Sequence, residues 1–112
     1  MKRALQITYR RMATSEALNE HIRDHAEKLE QFFDGIVGCH VVVDEPHRHK
    51  QHGKQFRVRV DLHVPGKDIT ADGEPGDATS HEDPYLAVTD AFEAARRQLQ
   101  HYADGLHAHH RP

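Results

Sequence analysis

A chain of 112 residues, 37% hydrophobic and 29% charged, has room for one domain and one core, because folding at this length buries roughly two thirds of the unfolded surface. That balance excludes a disordered chain, and no apolar run reaches the roughly 20 residues of a membrane-spanning helix. A net charge of −3, from 15 basic and 18 acidic residues, excludes a uniformly basic nucleic-acid binder and leaves only local basic surface.

Leu5, Ile7 and Tyr9 alternate with Gln6, Thr8 and Arg10, which predicts a half-buried first strand. Thr14 is the expected N-cap of a first helix, with Glu16 complementing the dipole in its first turn. Leu18, Ile22, Ala26, Leu29 and Phe33 form the stripe of that helix, with Phe32 beside it, and Gly35 after Asp34 is the expected stop. Val37, Cys39, Val41 and Val43 alternate with His40, Val42 and Asp44 in a second strand. Residues 45–53, EPHRHKQHG, read as a polar connection. Phe56, Val58, Val60, Leu62 and Val64 alternate with Arg57, Arg59, Asp61 and His63 in the clearest strand of the chain. Pro65-Gly66 is a turn, Lys67 to Ala71 a short fourth strand around Ile69, and residues 72–83 an acid-rich loop.

A long helix follows over Ser80 to Tyr102. Asp83 is its N-cap and Pro84 its first helical residue. Tyr85, Val88, Phe92, Ala95, Leu99 and Tyr102 form its apolar stripe, which Leu86, Ala87, Ala91 and Ala94 widen. Arg96 and Arg97 lie beside the stripe and stay solvated. GLHAHHRP is expected to fray, dividing the chain into a domain over 1–104 and a His-rich flexible tail over 105–112.

The order β-α-β-β-β-α predicts an α+β fold: a single four-stranded mixed sheet with two helices packed on one face. The first two strands can run parallel through a helical crossover, and the others meander antiparallel. The open face then carries Gln6, Thr8, Arg10, Arg57, Arg59 and His63.

Charge is segregated along the chain. Lys2, Arg3, Arg10 and Arg11 precede any acid, and Arg48, Lys50, Lys54, Arg57, Arg59 and Lys67 face Asp61 alone across residues 46–67. Asp68, Asp72, Glu74, Asp77, Glu82 and Asp83 then follow without Lys or Arg. Such segregation can build a local basic patch on an acidic protein, and a basic stripe joining the third strand to the second helix would favour RNA.

Histidine is the rival signal. His47, His49 and His52 share one loop, His107, His109 and His110 crowd the tail, and His21 and His25 share a helix face. Imidazole suits Zn, Ni or Cu, but a structural zinc site usually draws on Cys ligands, and Cys39 is the lone cysteine. No metal or other cofactor is expected. One cysteine permits no internal disulfide and fits a reducing cytoplasm, as does a start, MKRALQITYRR, without the apolar segment of a secretory signal. Cys39 on an apolar strand face reads as core packing. Asp83 is better used as a cap than as an acid or base, and no Gly-rich phosphate loop occurs. The chain is read as non-catalytic, with a protein–protein interaction or His-mediated metal-binding module as the alternative to RNA binding.

LQITYR, SEALNEHIRDHAEKLEQFFDGI, CHVVVDEPHRHKQHGKQFRVRVDLHVPG and EDPYLAVTDAFEAARRQLQHY, in that order, resemble the hibernation-promoting factors. These ribosome-associated inhibitors are also called protein Y and were formerly described as sigma-54 modulation proteins. The likeness extends to about Tyr102 and is that of a short member. It implies a stress-response factor that binds the small ribosomal subunit and its RNA in the channel of messenger and transfer RNA and blocks translation by occupancy. It implies no membrane, DNA or small-molecule partner. RNA helices are read mainly by shape and backbone, so lysines and arginines facing phosphates are the expected contacts. The candidates are Arg10, Arg11, Arg23, Lys28, Lys54, Arg57, Arg59, Arg96 and Arg97. Arg96-Arg97-Gln98-Leu99 resembles a basic segment of the family, and Arg23 and Lys28 fall at helical positions often basic in it.

Overall fold

A computed structural model describes residues 1–46, 48–49, 53–72 and 82–109, of which 48–49, 53–54 and 107–109 by backbone alone. Strands β1 (Gln6–Arg10), β2 (Gly38–Asp44), β5 (Arg57–Val64) and β6 (Lys67–Ala71) form one sheet in the order β1-β2-β5-β6, and β3 (Arg48–His49) pairs with β4 (Gly53–Lys54) as a separate ribbon. Helices α1 (Glu16–Phe32) and α2 (Pro84–His109) complete the chain. β1 and β2 are parallel, β2–β5 and β5–β6 antiparallel. The four-stranded mixed sheet and β-α-β-β-β-α order are those expected. The ribbon is not: the sequence predicts a plain polar connection over residues 45–53, because two-residue strands are too short to show a period.

The alternation of each strand decides its faces. Cys39, Val41 and Val43 on β2, Val58, Val60, Leu62 and Val64 on β5, and Ile69 and Ala71 on β6 are buried with Leu18, Ile22, Ala26 and Leu29 of α1 and Val88, Ala91, Phe92, Ala95 and Leu99 of α2. Both helices therefore cover one face of the sheet. Gln6, Thr8, Arg10, Arg57 and His63 remain exposed on the other. Among the described residues, no helix is long and apolar enough to cross a membrane.

The helix ends correct the sequence reading in four places. Ser15, not Thr14, caps α1: its backbone is extended and its Oγ accepts from the Leu18 amide at 3.2 Å, the N3 position for a cap at residue 15. α1 stops at Phe32 because Phe33 turns extended, its amide still donating to the Leu29 carbonyl at 3.0 Å. The Phe33 ring packs edge-on to Tyr102 at 5.8 Å. Gly35 is not left-handed; a Cβ there would lie 2.7 Å from the Phe33 ring, which would have to shift to admit it.

α2 starts as expected, with Asp83 Oδ1 accepting from the Tyr85 amide at 2.9 Å. Its first turn does not bury the expected stripe: Tyr85 is 40% and Leu86 55% exposed. At 3.6 residues per turn Leu86 lies on the opposite side of the helix from buried Val88. The helix also runs past Tyr102 and through Gly105 to His109. A single Gly costs a helix only about 1 kcal/mol, too little to end one. Two bonds fasten α2 to the sheet: Gln98 Nε2 donates to the Thr70 carbonyl at 3.0 Å, and the Tyr102 hydroxyl to the Pro65 carbonyl at 2.7 Å.

Candidate nucleic-acid interface

The nine candidate cations do not form one surface. On the helix side, Lys28 of α1 and Arg96 of α2 line the same groove, with His25, Thr89, Phe92 and Glu93 between them. The Arg96 guanidinium lies 4.5 Å above the Phe32 ring, a cation–π contact that leaves its edge free for a further acceptor. Arg97, one step round the helix, is exposed. Arg23 stands apart, beside Glu20, Asp24 and Glu27 near Met1 and Leu5, so its charge is offset locally.

On the open side, Arg10, Arg57 and Arg59 border one hollow with Asp44 and Asp72. Arg59 Nε pairs with Asp61 at 3.2 Å. Arg11 forks onto Asp44, with Nε to Oδ1 at 3.1 Å and Nη2 to Oδ2 at 2.8 Å, and that carboxylate raises the pKa of its guanidinium. Lys54 belongs to β4, and its side chain lies outside the described residues. The sheet separates Arg57 and Arg59 from Arg96 and Arg97, so among the described residues no basic stripe joins β5 to α2.

One cluster at the helix contact went unrecognised as a unit. Thr89 Oγ1 lies 3.4 Å from His21 Nε2 and 3.3 Å from His25 Nε2, and donates to the Tyr85 carbonyl at 3.1 Å. The two imidazoles are 4.7 Å apart, and His25 stacks on Phe92 at 5.4 Å. Burial, then the neighbouring His21 and Lys28, push the His25 pKa below its ordinary value, while Asp24 and Glu93 oppose the shift. The i, i+4 spacing of His21 and His25 showed that they share a face; their partner on α2 is 64 residues or more away.

Among the described residues, no three His, Cys, Asp or Glu side chains are grouped to hold a metal ion. His47, His52 and His110 lie outside the described residues, as do the side chains of His49, His107 and His109 and the acidic stretch 73–81. Burial pushes the Cys39 thiol up to about 12, so it is protonated at neutral pH and unsuited to nucleophilic attack.

The family model described as "Sigma 54 modulation protein / S30EA ribosomal protein" matches residues 5–107. The chain belongs to that family. Over 105 residues this S30EA family member is 32% identical to the "Ribosome hibernation promoting factor" of Escherichia coli (strain K12), covering 94% of this chain and 98% of the relative. The protein of the same name from Shigella flexneri matches to the same extent. Two solved structures share the fold: a ribosomal subunit interface protein from Coxiella burnetii (TM-score 0.71, 20% identity, 89% of this chain and 97% of the other) and the N-terminal domain of Thermus thermophilus Protein Y (TM-score 0.68, 17% identity, 87% and 94%). The match over residues 5–107 spans the whole sheet-and-helix unit of this S30EA family member.

Proposed function

We propose that this protein binds the small ribosomal subunit and silences translation by occupying the channel of messenger and transfer RNA, without catalysing a reaction. The observation that carries this is the near full-length match, at 32% identity, to proteins named ribosome hibernation promoting factor. The groove holding Lys28 and Arg96 supports it. Two cations over an apolar floor can meet backbone phosphates without reading sequence, as recognition of structured RNA requires. In this reading Lys28, Arg96 and Arg97 make the principal contacts, while Arg23 contributes less because of its acidic neighbours. A cytoplasmic location in stressed or non-growing cells follows from the same reading.

The test is sedimentation with small subunits and with intact ribosomes across a salt series. The protein is expected in the subunit pellet at low salt and lost progressively as salt rises. Absence from the pellet even at low salt overturns the proposal.

A further inference from the structure

The open face of the sheet holds a hollow of about 210 Å³ bordered by Arg10, Arg57, Arg59, Asp44 and Asp72. Strand register sets its floor. Arg10 on β1 and Arg57 on β5 are both register partners of Asp44 on β2. Directly paired residues share a face, so the two arginines flank one carboxylate. Neighbouring strands are about 4.8 Å apart, which puts the two backbones about 10 Å apart across β2. Long guanidinium side chains on either flank can converge above Asp44.

Asp44 is nevertheless paired with neither. Arg11, just past β1, takes the left-handed conformation at φ 59. Its fork occupies both Asp44 oxygens, and its Nη1 donates to the Pro46 carbonyl at 3.2 Å. That backbone is unusual for a residue other than Gly, Asn or Asp, and the bidentate charge-assisted bond holds it. The Arg10 and Arg57 side chains are left with no ion pair or hydrogen bond to any described residue. Arg59 shares Asp61 with the Thr70 hydroxyl and stays 43% exposed.

We propose that Arg10 and Arg57, with Arg59 beside them, form a phosphate-binding site on the face of the sheet opposite the helices. Arg11 is its positioning residue: by neutralising Asp44 it leaves the flanking arginines open to an external anion. The ligand is a phosphoryl group, carried by a nucleotide or by an RNA backbone. Arginine suits it because the planar fork matches phosphate oxygens in pairs. Asp72 at the rim keeps the net charge low, so affinity depends on the convergence of the arginines more than on bulk attraction.

The test is amide NMR of the full chain titrated at fixed ionic strength with inorganic pyrophosphate, with ATP and with a short oligoribonucleotide. The expected result is shifts centred on Arg10, Asp44 and Arg57, and at least tenfold weaker binding at that face in the Arg10→Ala, Arg57→Ala double variant. Response to all three probes marks the phosphoryl group as sufficient. Response to the oligoribonucleotide alone marks the RNA backbone as the source. No response at these residues, or shifts confined to the Lys28–Arg96 groove, overturns the site.

Arg11 is tested by a cycle. Arg11→Ala is expected to weaken binding about fivefold, and adding Asp44→Asn to restore it. A direct contact from Arg11 to the anion would not be restored, and that result overturns the positioning role. Preserved spectral dispersion shows that each variant is folded. No ribosome is involved, so failure here is distinct from failure to co-sediment.

Discussion

On the helix side of the sheet, Lys28 and Arg96 stand over Phe92 and the Phe32 ring, with Glu93 as the acidic residue lining their groove. On the open side, Arg59 stands beside Asp61, and Arg10, Arg11 and Arg57 surround Asp44. The first pair is presented by packing: aliphatic stems and a ring lie on the core while the charges reach water. In the second group register puts Arg10 and Arg57 next to Asp44, Arg59 reaches Asp61 along its own strand, and Arg11 can release its neighbours by taking their partner. The number of cations on a surface therefore does not give its capacity to bind an anion.

The largest expected effect comes from the layer that both faces share. Leu99 is fully buried between α2 and the sheet, so Leu99→Ala is expected to cost about 2–5 kcal/mol in denaturant unfolding. A cost below about 1 kcal/mol would mean that α2 does not seal the core and that the groove is not built on it.

Charge reversal on the helix side comes next. Arg96→Glu with Arg97→Glu is expected to weaken subunit binding by tenfold or more and to flatten the salt dependence by roughly two phosphate contacts' worth. Lys28→Glu should act with Arg96→Glu, whereas Arg23→Glu should matter less, given Glu20, Asp24 and Glu27. Equal losses from Arg23 and Arg96 would erase the distinction between the two sides of α1.

A smaller effect is expected at the start of α1. Ser15→Ala removes the bond to the Leu18 amide and should cost about 1 kcal/mol, while Thr14→Ala should cost little. Thermal or denaturant unfolding of the two variants separates the caps.

The smallest effect is the pH response of the helix contact. The His25 pKa is lowered in the folded state, so the unfolded chain takes up this proton first. Its contribution to stability is whole above the ordinary value of 6.5 and is lost as pH falls from there through the lowered folded value. Denaturation midpoints between neutral pH and pH 5 should fall more in the native chain than in His25→Gln. Parallel slopes would show that the imidazole does not titrate against His21 and Lys28.

The fold was legible in the sequence wherever apolar residues kept one period long enough to be seen. β5 shows four alternating core residues, α1 a full stripe, and Asp83-Pro84 an unambiguous helix start. Legibility failed where an end depended on contacts from elsewhere. Ser15 and Thr14 are both good caps in isolation, and the choice follows from the rotation that turns Leu18 and Ile22 toward the sheet. Tyr85 matched the α2 stripe by spacing, yet the turn it belongs to is only partly covered. The candidate interface was legible as a set of cations and not as an arrangement. Arg11 and Arg10 are adjacent in sequence, but a left-handed backbone sends one to Asp44 and leaves the other's side chain without an ion pair among the described residues.

The sequence by itself determined the order of the four sheet strands and two helices, the face each of those strands buries and the family, because periodicity and local motifs are short-range properties. Only the tertiary structure decided which charges are neighbours. Lys28 and Arg96 line one groove from two helices, Arg10 and Arg57 border one hollow from either side of an intervening strand, and the sheet keeps the two pairs on opposite sides. Those relations follow from strand order and helix packing, which join residues far apart in the chain, and electrostatic interaction depends on that distance in space.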